Sequence, residues 1–98
     1  MKIEKVIDGS KLTILLEGRL DTNTAPEVEK ELHESIEGIT ELVWNLEKLE
    51  YISSAGLRIL LAAQKIMQKQ GEMKVTNVSE TIMEIFEITG FTSILTVE

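Results

Sequence analysis

Ninety-eight residues make room for one domain, residues 1–98, and a chain of this length buries roughly 65% of its unfolded surface without staples. There is no cysteine, so disulfides, thiolate metal sites and cysteine nucleophiles are excluded. Ten Lys and Arg against 17 Asp and Glu leave a net charge of -7, the wrong sign for a nucleic-acid backbone or an anionic membrane surface.

The N-terminus, MKIEKVIDGSKL, has no apolar stretch resembling a secretory signal. No run approaches the ~18 apolar residues of a membrane span. A cytoplasmic protein is expected, whose partner is another protein or a small molecule.

Residues 2–7 alternate in polarity and lead into Asp8-Gly9, a hairpin dipeptide. Residues 11–17 alternate again, with Leu12, Ile14 and Leu16 on one face, and Gly18 is expected to end this second strand. Thr24-Ala25-Pro26-Glu27 reads as a capping box: threonine N-cap, proline in the first turn, glutamate at the third helical position. Val28, Leu32, Ile36 and Ile39 repeat at helical spacing behind it, and Gly38 is placed to close the helix in a left-handed conformation.

Leu42-Val43-Trp44-Asn45-Leu46 is nearly continuous in apolar character, which predicts a central parallel strand buried on both faces. A serine-rich turn opens the next helix. Its inner face is Gly56, Ile59, Leu60, Ala63, Ile66 and Met67, and Gly71 ends it. Met73-Lys74-Val75 is a short strand. Ser79 is placed to cap a third helix with Ile82, Phe86 and Thr89 inward and Gly90 at its end. Residues 92–97 form a last strand or an extended tail. This order predicts a single-domain α/β sandwich: a mixed β-sheet, an N-terminal antiparallel hairpin, and helices packed mainly on one face.

The stretch Leu49-Glu50-Tyr51-Ile52-Ser53-Ser54-Ala55-Gly56-Leu57 admits three readings: a nucleophile on a sharp turn, a phosphate cradle, or an exposed helix cap. A nucleophile needs a base, but the only histidine, His33, lies among glutamates on a polar helix face, and the G-x-S-x-G elbow is absent. A cradle lacks the glycines and lysine of a P-loop. Asp21, Glu47 and Glu50 are not spaced as metal ligands. No catalytic residue, metal or cofactor is therefore expected. The remaining reading is an exposed cap by Ser53 or Ser54, after a central strand, where open α/β sheets place functional loops. Gly18 to Thr24 also joins a strand to a helix, so neighbouring strands would bring both loops onto one surface.

Four blocks then form a recognisable set: Gly18-Arg19-Leu20-Asp21 with Thr24-Ala25; Val43-Trp44-Asn45-Leu46 with Leu49; Tyr51 to Leu57; and Ile85-Phe86-Glu87-Ile88-Thr89-Gly90-Phe91. Together they resemble the bacterial anti-sigma-factor antagonists, STAS-domain proteins, over essentially the whole chain. The resemblance implies a partner switch. The unphosphorylated antagonist binds a kinase-type anti-sigma factor and frees a sigma factor. That serine kinase ejects the antagonist by phosphorylating a serine, and a PP2C-type phosphatase resets it. The phosphorylated position falls on Ser54. Ser53 stands where the family commonly has aspartate, and Ala55 where a second hydroxyl is common. Asp21, Thr22, Asn23, Thr24, Ser53, Ala55, Gly56, Leu57 and Arg58 are expected to form the docking surface. The alternative is a STAS module serving a non-sigma signalling complex or a lipid-transport assembly.

Overall fold

A computed structural model describes residues 1–98, Met1 to Glu98. In chain order it contains β1 (Lys2–Asp8), β2 (Lys11–Leu20), α1 (Ala25–Ser35), β3 (Glu41–Ile52), α2 (Ser54–Gln70), β4 (Glu72–Thr76) and α3 (Glu80–Thr89), then a 3-10 turn, Phe91–Ser93. The strands lie in the order β1-β2-β3-β4. Only β1 and β2 run antiparallel; β2, β3 and β4 are parallel.

The hairpin forms where Asp8-Gly9 predicts it, with its turn centred one residue later, since Asp8 already pairs with Lys11. Gly9 supplies the positive φ (+61°) that this tight turn requires. β2 does not stop at Gly18. It continues to Leu20, and Gly18 takes φ +109° between two register shifts against β3. A glycine here absorbs the twist of an irregular ladder instead of terminating it.

Leu12, Ile14 and Leu16 of β2, Leu42, Trp44 and Leu46 of β3, and Met73 and Val75 of β4 are all buried. Their alternates Thr13, Leu15, Val43, Asn45, Lys74 and Thr76 are only half-buried. All helices therefore cover the same face. The expectation that residues 42–46 are buried on both faces is corrected by this two-layer architecture, in which a central parallel strand has one half-open side. Trp44 is fully enclosed, with its indole N–H directed at the Met73 sulfur, 3.3 Å away.

α1 covers the sheet through Val28 and Leu32 and ends at Ser35. Gly38 does adopt φ +78°, but in the turn beyond the helix, because the helix is capped earlier at Ile36. α2 ends at Gly71, where the chain runs so close to the preceding loop that a Cβ would lie 1.9 Å from the Thr40 carbonyl oxygen. α3 is built as the sequence predicts at both ends: Ser79 Oγ accepts the Ile82 N–H at 3.3 Å, and Gly90 closes it at φ +80°. Thr89, expected inward, is exposed, and its hydroxyl donates back to the Ile85 carbonyl. Residues 92–97 are not a full strand. They begin in the 3-10 turn and reach the sheet only through one parallel bridge, Val97 to Val75.

Ser79→Ala removes a cap whose hydrogen bond is present in the structure. It is expected to cost about 1 kcal/mol, read as a lower midpoint in urea unfolding at unchanged slope. A midpoint equal to wild type would mean that α3 is held by Ile82 and Phe86 alone.

Candidate functional site

β2 and β3 are neighbours and parallel, with Leu20 opposite Ile52 at their C-terminal ends. The Ser53 N–H donates to the Leu20 carbonyl at 2.9 Å, so the chain leaves the two strands side by side. Asp21 and Ser54 are the next residues out. Two polar loops and the N-termini of α1 and α2 therefore open onto one surface, as the sequence leads one to expect.

The first loop is built around Asp21. One carboxylate oxygen accepts the Asn23 N–H at 3.0 Å and the Thr24 N–H at 3.2 Å. The Thr24 hydroxyl donates to the Arg19 carbonyl at 2.8 Å and accepts the Asp21 N–H at 2.9 Å. Thr24 is the N-cap of α1 by position, yet its side chain caps nothing. The capping box is corrected accordingly: the threonine oxygen is committed to the residues before the helix, and the Asp21 main-chain carbonyl takes the Ala25 N–H instead. Thr22 and Asn23 are left exposed at the crest of the loop.

The second loop has almost no length. Ser53 is the N-cap of α2 in an extended conformation, and Ser54 is its first residue. Their side chains diverge. The Ser53 hydroxyl is buried without a hydrogen-bond partner, whereas Ser54 is exposed. Ser54 also enters no side-chain hydrogen bond, so no base or orienting group addresses its oxygen. His33 lies on the exposed side of α1, in a shallow cleft with Arg58, Lys30, Ala55 and Thr22.

Gly56 and Leu57, expected at the docking surface, are not exposed. Both are buried, because α2 begins by resting on the strand ends. A Cβ on Gly56 would lie 2.7 Å from both Ile52 Cγ1 and Leu20 Cγ. Both seat the first turn of α2 on the ends of β2 and β3. Burying a Leu or Ile side chain is worth about 1.5–3 kcal/mol, against about 0.5–1.5 for a loop hydrogen bond. Packing therefore sets where Ser54 sits, and the Asp21 turn shapes only the crest beside it. Of the other expected residues, Arg58 is exposed, Ala55 is half-buried, and Asp21 and Thr24 are half-buried at the rim.

One feature of the surface has no signal along the sequence. Arg19 stacks over the Tyr51 ring, with its guanidinium carbon 4.5 Å from the centroid. The pair forms because Arg19 lies opposite Tyr51 across β2 and β3, a register set by two irregularities. Without that register, the 31 residues between them hide the contact.

Over residues 2–98 the sequence matches the STAS domain family. The chain belongs to that family. Among its relatives is BtrV of Bordetella bronchiseptica, provisionally named an anti-sigma factor antagonist, at 41% identity over 93% of this chain and 79% of the relative. The anti-sigma-B factor antagonist of Listeria monocytogenes is 32% identical over 93% of this chain and 82% of its own. In three dimensions the STAS domain resembles the anti-sigma factor antagonist SpoIIAA. Its unphosphorylated form superposes with a TM-score of 0.84, at 20% identity over 99% of this chain and 88% of SpoIIAA. The phosphorylated form of SpoIIAA, from Bacillus, gives a TM-score of 0.77, at 20% identity over 99% and 91%. No helix of this STAS domain is long and apolar enough to cross a membrane.

Proposed function

We propose that this STAS domain is an anti-sigma-factor antagonist, a non-catalytic binding module of the cytoplasm controlled by phosphorylation of Ser54. The names of its relatives supply the class of partner, an anti-sigma factor. The observation that carries the reading is the position of Ser54. It is an exposed, unbonded hydroxyl on the first residue of a helix, at the crest where two strand ends deliver their loops. That SpoIIAA exists in phosphorylated and unphosphorylated forms of one fold supports a modification the fold tolerates.

The unphosphorylated domain binds a kinase-type anti-sigma factor through Thr22, Asn23, Ser54 and Arg58, with Asp21, Thr24 and Ala55 at the rim, and a sigma factor is released. The kinase then transfers the γ-phosphoryl group of ATP to Ser54 Oγ. A new O–P bond forms as the bond to the ADP oxygen breaks, and the hydroxyl proton is lost. The phosphate adds a charge of about -1.5 to -2 to a surface that had been neutral at that point, and the complex separates. Hydrolysis by a PP2C-type phosphatase restores the hydroxyl.

Affinity capture of the full chain from its native cell, followed by mass spectrometry, tests this reading. An ATPase-type kinase among the captured proteins, with phosphate mapped to Ser54, is the expected result. A membrane transport complex without a kinase would replace the sigma switch with a lipid-transport role.

Asp21 provides a second check. Its carboxylate organises the loop crest, so Asp21→Ala is expected to weaken partner binding while costing no more than about 1–2 kcal/mol of stability. Asp21→Asn keeps an acceptor oxygen and is expected to retain most of the binding. Titration calorimetry beside thermal melts separates the two effects. A large stability loss with unchanged affinity would make Asp21 structural only.

A further inference from the structure

The chain has two arginines, and the fold uses them differently. Arg19 is committed, stacked on Tyr51 and 4.0 Å from the Asp21 carboxylate. Arg58 is exposed and takes part in none of the seven ion pairs of the molecule. The acidic residue lining its cleft, Glu29 on α1, does not pair with it, and the first turn of α2 carries no acid. Lys30 in the same cleft already faces Glu34 at 4.0 Å. A strongly acidic chain has thus left one guanidinium without a partner.

Arg58 also stands four residues after Ser54 on the same helix. Side chains at i and i+4 share a helix face, with Cβ atoms about 5–6 Å apart, and an acid N-terminal to its base is the better of the two orientations. A serine hydroxyl is too short to use this geometry. A phosphoserine has the reach, and a guanidinium fork matches a phosphate in charge and in hydrogen-bond geometry.

We infer that Arg58 is the ligand of a phosphoryl group on Ser54: a phosphomonoester dianion held against its own helix by the unpaired guanidinium. This rests on the phosphorylation reading above and adds a second consequence to it. Once Arg58 holds the phosphate, its guanidinium is no longer free for a carboxylate of the partner. Modification then introduces a repulsive charge and withdraws an attractive one in the same step.

The test uses the full chain with phosphoserine installed at position 54 by genetic encoding, so that no kinase is needed. Phosphorus NMR follows the second ionisation of the phosphate, ordinarily near pH 6. An i,i+4 pair worth about 0.2–0.5 kcal/mol lowers that ionisation by about 0.15–0.4 pH unit. The wild-type sequence is therefore expected to titrate lower than Arg58→Gln by that amount, with Arg58→Lys between them and the difference fading in 1 M salt, where the Debye length is about 3 Å. Because His33 lines the same cleft, the comparison is repeated with His33→Gln. Equal titrations for wild type and Arg58→Gln overturn the pairing, as does a shift lost in Lys30→Gln and kept in Arg58→Gln. Those outcomes leave the switch itself standing. Failure of the native kinase to place phosphate on Ser54 would instead defeat the switch and leave the pairing measurable.

Discussion

Phosphorylation of Ser54 is expected to weaken partner binding by ~10²-fold or more while leaving the fold intact. At the first position of α2 the helix macrodipole favours the phosphate by only about 0.3–1 kcal/mol. Burying the same charge against a partner costs several kcal/mol even after relaxation, and each 1.4 kcal/mol is tenfold in affinity. The interface term wins. Ser54→Ala is expected to bind the kinase and never be released, and since Ser54 is exposed and makes no cap bond, its stability should stay within about 0.5 kcal/mol of wild type. Ser54→Asp adds one charge on a smaller group and should weaken binding less than phosphate does. Ser53→Ala removes a buried hydroxyl that has no partner, so phosphate incorporation should be nearly unchanged. Each purified variant, incubated with kinase and ATP and mapped by mass spectrometry, decides between the two serines. Phosphate on Ser53 in the wild type, or undiminished in Ser54→Ala, would show that the switch residue is not Ser54.

That Ser54 can be singled out at all reflects which features are local. The turn at Gly9 and the caps at Ser79 and Gly90 are legible because each depends on a few adjacent residues. Thr24 looked the same and behaved differently. Its hydroxyl has a choice of partners, and the Arg19 carbonyl is placed to take it only because β2 runs on past Gly18 to Leu20. The apolar run Leu42–Leu46 could not disclose that one side of the sheet is left half-open, since Val43 suits a half-buried position as well as a buried one.

The residues expected to dock a partner divide along the same line. Thr22, Asn23 and Arg58 are exposed where loop crest and helix period place them. Gly56 follows the period of Leu60, Ala63 and Met67 and is carried inward, and Leu57 goes with it because the helix begins against two strand ends instead of one. Periodicity names a face, but the angle at which α2 docks decides how wide the buried part of that face is.

Gly56→Ala is the sharpest test of that docking. Alanine is favoured over glycine by about 0.8–1 kcal/mol in a helix interior, an upper bound for this first-turn position, so in open space this substitution would stabilise the protein. Here the new Cβ would meet Ile52 Cγ1 and Leu20 Cγ at 2.7 Å, and Leu20 Cδ2 at 2.9 Å. Neither neighbour has room to swing away, since Leu20 is 0% and Ile52 1% exposed. Overpacking of this kind costs typically about 1–3 kcal/mol, which cancels the propensity gain and leaves a net loss of up to about 2 kcal/mol. For a domain of this size that lowers Tm by as much as roughly 8–16 °C. Gly56→Val adds two more methyl groups to the same contact and is expected to lose more, with a smaller propensity gain to offset it. The relief available to either variant is to lift the first turn of α2 from the strand ends, which carries Ser54 with it. Phosphorylation of Gly56→Ala, measured where both proteins are fully folded, should therefore be slower than wild type although the serine is untouched. A Gly56→Ala protein that melts at or above the wild-type temperature would show that Leu20 and Ile52 yield easily, and that Ser54 is not held in place by this contact.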